Sequence, residues 1–439
     1  MSQSLTRSLP SLFLWQAVSV LTGFLTQIVL ARSLGPHDKG ILDLFLLIPV
    51  VAASVLDVGL LSANTYFAGK GIAPVRQLHS NTLIWSVVAG VVALTVSGGL
   101  LFFSTSIFPS LTGFQVVLAA VLVGPTLYAS LWTGLMYGAD QSLLVYRTTG
   151  LVSLISFLVY GASLLMNAEI ETILFVSFAL IILKAIVPLA TTAHLTGLHP
   201  SLNRAIFNQS VKYGIALYVG LAVNTLHVRI SQFLVGSHLG PAELGYFALA
   251  VRIAEMVWLL DFVVINASVF RITSSDLNES ARITQQMTRM IGLMVITFSI
   301  FLGLVAPILI PVVFGAEFSP AVLPLLWLLP GIVGWSLARS VAQFIAYQMG
   351  RPWLNTQAAS IAFFLNVALN MFLIPPFGIS GAAISATVSY MCNFAILTFL
   401  FLKLAKVPLA STFLPQIEDV RLLREIVGQS LRPLFTKNR

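Results

Sequence analysis

The stretch Leu34-Gly35-Pro36-His37-Asp38-Lys39-Gly40 returns 205 residues later as Leu239-Gly240-Pro241-Ala242-Glu243-Leu244-Gly245. The match extends backwards to Thr26 and Gln27 on one side and Ser231 and Gln232 on the other. In both places an apolar helix exits and turns on Gly-Pro. It then meets an acid, Asp38 or Glu243, near the start of the next helix, where the helix dipole favours negative charge. Two copies of such a turn at equivalent helix positions predict a duplicated fold. A weaker pair sets Tyr137-Gly138 beside Met349-Gly350, each closing the fourth helix of its copy.

The sequence around these turns is apolar throughout. Of 439 residues, 58% are hydrophobic and 9% charged, against about 25% charged in an ordinary soluble domain. The mean hydropathy of +0.95 excludes a soluble enzyme and requires lipid to solvate most side chains. At about 20 apolar residues per span, twelve helices are predicted. They lie near residues 11–32, 41–65, 81–105, 114–137, 148–166, 171–192, 211–235, 244–269, 287–313, 321–347, 354–374 and 379–402. The first is too long for a signal-peptide core and lacks a small-residue cleavage site, so it is expected to be retained.

The connecting loops are short, and the longest follows the sixth helix. The expected organisation is a six-helix lobe over 1–195, an inter-lobe loop over 196–210, a second six-helix lobe over 211–404 and a tail over 405–439. Six is even, so both lobes run in the same direction, as a parallel repeat about the membrane normal. The expected fold class is therefore an all-α integral membrane protein, twelve transmembrane helices in two parallel-repeat six-helix lobes around a central cleft.

Lys and Arg number 23 against 15 Asp and Glu. With the N-terminus in the cytoplasm, seventeen of the basic residues fall on the cytoplasmic side and only Arg32 and Lys39 on the other, while Lys184, Arg229, Arg252 and Arg339 lie within spans. The positive-inside rule fits that orientation and not its inverse, with both termini cytoplasmic. The net charge of +8 is thus read as membrane orientation, and no nucleic-acid partner is expected. From about Leu414 the tail mixes apolar Ile417, Val420, Leu423 and Val427 with Glu418, Arg421, Arg424 and Glu425. That pattern fits an amphipathic surface helix or an unstructured basic tail equally. Cys392 is the only cysteine, which excludes an intrachain disulfide and a Cys-based metal site.

No catalytic constellation emerges. None of His37, His79, His194, His199, His227 and His238 has Glu or a second His three or four residues away, so no helical metal site is expected. The acids Glu169 and Glu171 stand in a small loop without a third acid near them, and no phosphate-cradling G-x-x-x-x-G-K-[ST] run exists. Neither an enzyme nor a cofactor is expected.

Intramembrane charge is the remaining signal, at about 2.5–3.5 kcal/mol per ion at a helix centre. Arg229 shares a helical face with Tyr218, Thr225 and Gln232. The repeat partner in the first helix is Gln16, Ser19, Gly23 and Thr26, with Gln27 beside it. Such stripes must face protein or a water-filled cavity. Arg252 has Glu255 at i+3, a spacing that fits either a structural ion pair or a ligand role for the arginine. Arg339 has no acid within four residues and is open to an anionic ligand or to an acid on another helix. Lys184 lies on a face with Ser177 and Thr191, its stem long enough to snorkel to headgroups instead. Asp57 and Asp261 occupy nearly matching places in the second and eighth helices, and structural pairing is weighed ahead of ion coupling for both. Asp43, near the outer interface, reads as a solvated or capping acid.

Beyond the two turns, the chain carries Phe314-Gly315-Ala316-Glu317-Phe318, Gly350-Arg351-Pro352, the run from Asn366 to Asn370, and Leu373-Ile374-Pro375-Pro376-Phe377-Gly378-Ile379-Ser380-Gly381-Ala382-Ala383. In these it resembles the bacterial polysaccharide and O-antigen repeat-unit flippases, in the superfamily that also holds multidrug exporters and the lipid II flippase. It departs from that pattern at Ser231, where relatives often carry Asp, and at Phe270-Arg271, where Pro is common. The resemblance implies a substrate, an undecaprenyl-diphosphate-linked oligosaccharide moved to the outer leaflet of the bacterial cytoplasmic membrane, and partners in polysaccharide assembly. The expected substrate-binding residues are Arg229, Arg339, Lys184, Arg252, Gln27 and Gln232, and the expected ion-coupling residues Asp57, Asp261 and Glu255. The competing expectation is an ion-coupled multidrug-type antiporter of the same fold.

Overall fold

The computed structural model describes residues 3–100, 110–196, 201–414 and 416. The tail reading over 417–439 lies outside the described residues. The described residues form helices and contain no strand. In chain order these are α1 (Gln3–Leu56), α2 (Leu60–Gly69), α3 (Val75–Leu100), α4 (Gly113–Val121), α5 (Val123–Gly138), α6 (Ser142–Leu165), α7 (Ile170–Thr196), α8 (Arg204–Leu239), α9 (Pro241–Glu255), α10 (Trp258–Ser274), α11 (Leu277–Phe314), α12 (Val322–Gln343), α13 (Pro352–Ala405) and α14 (Leu409–Phe413). A 3-10 turn, Ala316–Ala321, precedes α12, and a π turn, Phe344–Gln348, follows it.

Among the described residues, eight helices are long and apolar enough to cross a membrane, or nine if Arg204–Ile215 and Tyr218–Leu239, bent by 60°, form one span. This is a multi-pass membrane architecture, with fewer uninterrupted spans than the twelve expected. The difference has a physical source. Both α1 and α13 run for 54 residues, roughly 80 Å if straight, against a hydrocarbon core of about 30 Å. Each contains one residue off the helical path, Gly35 (φ 66°, ψ 175°) in α1 and Gly378 (φ 58°, ψ −138°) in α13.

Gly35 and Gly240 bear directly on the repeat. Gly240 has φ 92° and ψ −178°, so the two copies of the Leu-Gly-Pro turn share one backbone shape, a positive φ with extended ψ that favours glycine. A proline follows each, with φ pre-set for a first helical turn. The weaker repeat pair does not share a shape. Gly350 has φ 61°, whereas after α5 the left-handed position falls on Asp140 (φ 59°), two residues beyond Gly138.

The chain divides into two compact units, Met1–Ala248 with Leu309–Ser319, and Leu249–Ile308 with Pro320–Arg439. In the first, Leu30, Leu42 and Phe45 of α1 pack with Ile173 and Leu174 of α7. A second cluster joins Phe67, Leu78, Tyr128, Trp132 and Leu135. Lipid tails are as apolar as these side chains, so helix association rests on close packing of small residues. A Cβ on Gly40 would stand 1.7 Å from the Pro241 carbonyl oxygen, and one on Gly245 would stand 2.2 Å from that of Pro36. The two repeat turns therefore interlock reciprocally. Gly59 and Gly214 meet in the same way, each Cβ position within 2.4 Å of the other's backbone. Residues entering α8 are tied down by reciprocal bonds. Asn203 N–H donates to Asn81 Oδ1 at 2.9 Å, and Asn81 Nδ2 donates to the Asn203 carbonyl at 3.2 Å.

In the second unit, Val341, Phe344, Leu397 and Phe401 form the core. Polar contacts run through it. Thr288 and Ser340 hydroxyls lie 2.8 Å apart, and Asn366 Nδ2 donates to Ser389 Oγ at 3.1 Å.

Candidate functional site

The charged residues singled out from sequence occupy separate environments. Arg229, on the second half of α8, is half-buried. It lines a cavity of about 310 Å³ with Leu47, Ile48, Val51 and Ala52 of α1 and with Leu226, Ile230 and Phe233 of its own helix. Among the described residues, no carboxylate lines that cavity. On the same stripe Gln232 is buried, and the Tyr218 hydroxyl donates to the Val55 carbonyl. On the repeat stripe in α1, Thr26 Oγ1 donates to the Thr22 carbonyl at 2.7 Å. Beside it, the buried Oε1 of Gln27 has no hydrogen-bond partner among the described residues.

Lys184 opens into a different cavity, of about 260 Å³, walled by α1, α5, α6 and α7 of the first unit. Its polar surroundings are hydroxyls, and among the described residues no carboxylate lines the space. Spacing had grouped Lys184 with Ser177. Ser177 is instead buried and bonded to the Tyr160 hydroxyl at 2.7 Å.

Asp261 and Arg339 are brought together. Asp261 Oδ1 on α10 is 3.0 Å from Arg339 Nη1 on α12, with Asp261 fully buried and Arg339 33% exposed. Of the two readings open for Arg339, the acid on another helix is therefore realised. Asp57 acts locally. It stands where the chain breaks at Val58 (φ 44°) and Gly59 (φ 85°), and its Oδ1 accepts from the Leu61 N–H at 3.0 Å. Arg252 is exposed and Glu255 half-buried.

Two sequence readings change. Asp43, read as solvated or capping, is paired with Lys39, whose Nζ is 2.5 and 2.6 Å from its two oxygens. Lys39 is buried and Asp43 nearly so, with 3% and 9% side-chain exposure, because the i, i+4 spacing on α1 lets each neutralise the other as it leaves water. Lys39 is therefore not a free outer-loop cation. Sequence reasoning also missed the hydroxyl wall around Lys184. Its signal was present, since Thr149, Ser153 and Ser156 fall at i, i+4 and i+7 on one face of α6. The buried polar run is likewise structured. Asn370 Nδ2 donates to the Asn366 carbonyl at 2.8 Å, and Ser385 Oγ to that of Gly381 at 2.8 Å. No group of three or more His, Cys, Asp or Glu side chains that could hold a metal occurs among the described residues.

Residues 29–323 match the family described as polysaccharide biosynthesis protein. The chain belongs to that family. A relative, the probable low-salt glycan biosynthesis flippase Agl15 of Haloferax volcanii, is 26% identical over 403 residues, covering 89% of this chain and 82% of the relative. The fold is shared with an inward-facing multidrug resistance MATE family transporter at a TM-score of 0.68 and 14% identity, covering 90% of this chain and 99% of the other. It is also shared with the lipid II flippase MurJ in an inward closed conformation, at 0.67 and 13% identity, covering 97% and 98%. A transporter from Pyrococcus furiosus matches at 0.59 and 11%, covering 92% and 95%. These likenesses show that the chain shares its fold with these transporters.

Proposed function

We propose that this protein carries a lipid-linked oligosaccharide, on an undecaprenyl-diphosphate anchor, from the inner to the outer leaflet of the bacterial cytoplasmic membrane during assembly of a surface polysaccharide. The observation that carries this reading over a multidrug-type antiporter is the charge of the Lys184 cavity in the first unit. Among the described residues that line it, Lys184 is the one charged side chain and no carboxylate is present. A site for organic cations needs the opposite sign, whereas a diphosphate is matched by Arg in a planar, bidentate fashion. Family membership and the glycan flippase relative support the same substrate class.

In this reading the breaks at Gly35 and Gly378 raise the nine apolar spans to eleven, and α9 and α10 taken together across their junction supply the twelfth. The lobes are 1–195 and 211–404, joined over 196–210, with both termini cytoplasmic. The lobes rock to expose the cationic site alternately to each side while the lipid tail stays in the bilayer. In the first unit Arg229 contacts the diphosphate and Gln27 and Gln232 bond the sugars, and in the second unit Arg252 is a phosphate contact. Arg339 contributes through its pairing with Asp261, so that a substrate phosphate competes with a carboxylate for the same guanidinium. Asp261 and Glu255 are the groups through which an ion gradient would act, while Asp57, which accepts the Leu61 N–H, serves the scaffold.

The test follows lipid-linked oligosaccharide in cells lacking this gene and supplied with variants. Outer-leaflet appearance is measured against protein level in the membrane. Arg229→Lys should retain part of the transport and Arg229→Ala lose it at unchanged protein level. Full transport by Arg229→Ala, or ion-driven efflux of an organic cation without oligosaccharide transfer, would overturn the reading.

A further inference from the structure

The cavity of about 260 Å³ around Lys184 has a chemistry more specific than a positive charge. Its wall carries the hydroxyls of Ser19, Thr133, Thr148, Thr149, Ser153 and Ser156, and among the described residues Lys184 is its one charged side chain. Three of these hydroxyls already donate within the protein. Thr133 Oγ1 donates to the Ala129 carbonyl at 2.9 Å, Ser153 Oγ to that of Ser19 at 3.2 Å, and Ser156 Oγ to that of Val152 at 2.7 Å. A hydroxyl that has given its proton keeps lone pairs for accepting, while a lysine ammonium can only donate. The cavity therefore offers one cationic donor group and a bank of acceptors.

The complementary ligand carries one anionic oxygen group and several hydroxyl donors. A simple halide meets the lysine and leaves the acceptors unmatched. A neutral sugar meets the acceptors and leaves the lysine unmatched. The volume equals roughly nine waters at about 30 Å³ each, which is room for one sugar ring. The wall is also built to hold its shape. Trp132 Nε1 donates to Thr192 Oγ1 at 2.7 Å, and the Thr22 and Ser153 hydroxyls lie 2.7 Å apart.

We propose that this cavity is a subsite for one acidic sugar of the translocated oligosaccharide, a hexuronate-type ring whose carboxylate meets Lys184 and whose hydroxyls donate to the Ser and Thr wall. The proposal rests on the glycan-carrier reading above and adds to it the chemical class of one sugar. It assigns Lys184 to the sugar and leaves the diphosphate to the arginines.

The experiment uses the full chain in lipid nanodiscs and measures, by peptide mass spectrometry, acetylation of Lys184 under limiting acetic anhydride, with Lys70 and Lys212 as internal references. D-glucuronate should slow modification of Lys184 about fivefold at roughly four times its Kd. D-glucose and chloride at matched ionic strength should leave it unchanged. The pair Thr149→Val and Ser153→Ala, with Lys184 intact, should lose the protection while Lys184 still reacts at its unliganded rate. Absence of protection by glucuronate overturns the proposal. Equal protection by chloride overturns it in favour of an inorganic-anion site, and equal protection by glucose in favour of a neutral-sugar site. No translocation is measured, so failure here is distinguishable from failure of the glycan-carrier reading, which shows as absent leaflet transfer.

Discussion

Asp261 and Arg339 form an ion pair of 3.0 Å between α10 and α12, with the carboxylate fully buried and the guanidinium one-third exposed. Removing one partner of a buried pair strands the other, at about 3–5 kcal/mol when both are buried. The exposure of Arg339 lowers the expected cost to about 1–3 kcal/mol. Asp261→Ala should therefore reduce the amount of folded protein in the membrane, and the double variant Asp261→Asn with Arg339→Gln should recover most of it. Detergent-solubilised yield and thermal midpoint measure this. If the double variant is as depleted as the sum of the singles, the pair is not the coupling that matters.

The reciprocal packing of the repeat turns predicts a steep response at two glycines. Gly40→Ala and Gly245→Ala each drive a methyl into a carbonyl oxygen on the facing turn. A main-chain clash cannot relax through a rotamer, so each should cost about 1–3 kcal/mol, the range for overpacking. Gly98→Ala and Gly99→Ala meet nothing within 4 Å and serve as neutral controls. A thermal midpoint for Gly40→Ala equal to the controls would contradict the interlocked geometry.

The fold was legible where sequence chemistry acts locally. The repeated Leu-Gly-Pro run reads as a turn because glycine takes the positive φ and proline opens the next helix, and Gly35 and Gly240 have that shape. The span count was less legible than the turns. A glycine that bends a helix without ending it leaves a 54-residue element where hydropathy places two spans. The candidate site was legible in residue type and only partly in partnership. Arg339 was recognised as needing an anion, but its acid lies 78 positions away on α10, beyond any helical spacing rule. Asp43 was misread because the loop boundary near Gly35 concealed that Lys39 is already one full turn below Asp43 on a continuous helix.

The Lys39–Asp43 pair gives a third prediction. With 3% and 9% exposure, neither charge has water to fall back on, so Asp43→Ala should destabilise by about 3–5 kcal/mol. Lys39→Met with Asp43→Leu, which removes both charges at similar volume, should be near neutral or stabilising. Chemical denaturation of the purified protein, or its thermal midpoint, decides between them. Equal loss in the single and the double variants would indicate that the site needs the charges themselves.

The orientation is tested by reporter fusions. Fusions after residues 75, 205 and 350 should report cytoplasm, and a fusion after residue 317 the opposite side, because seventeen basic residues fall on one side and two on the other under this arrangement. An outward report at 205 would break the two-lobe proposal, since six spans must precede that point.

Asp57 separates a structural from a coupling role through a single conservative change. Its Oδ1 accepts the Leu61 N–H at 3.0 Å, satisfying one of the free donors at the start of α2. Asparagine offers the same oxygen and caps as well as aspartate, whereas alanine loses about 1 kcal/mol. If Asp57 is only a cap, Asp57→Asn should transport normally, and Asp57→Ala should lower the thermal midpoint while transport per folded molecule persists. If Asp57 also carries a coupling proton, Asp57→Asn should have normal stability and lose gradient-dependent transport, because the amide keeps the hydrogen bond and cannot titrate. Capping geometry is what the structure displays, so the expected result is normal transport in Asp57→Asn. The measurement is outer-leaflet oligosaccharide per unit of folded protein, with and without an imposed proton gradient. A gradient response that vanishes in Asp57→Asn alone would move Asp57 from the scaffold to the transport cycle.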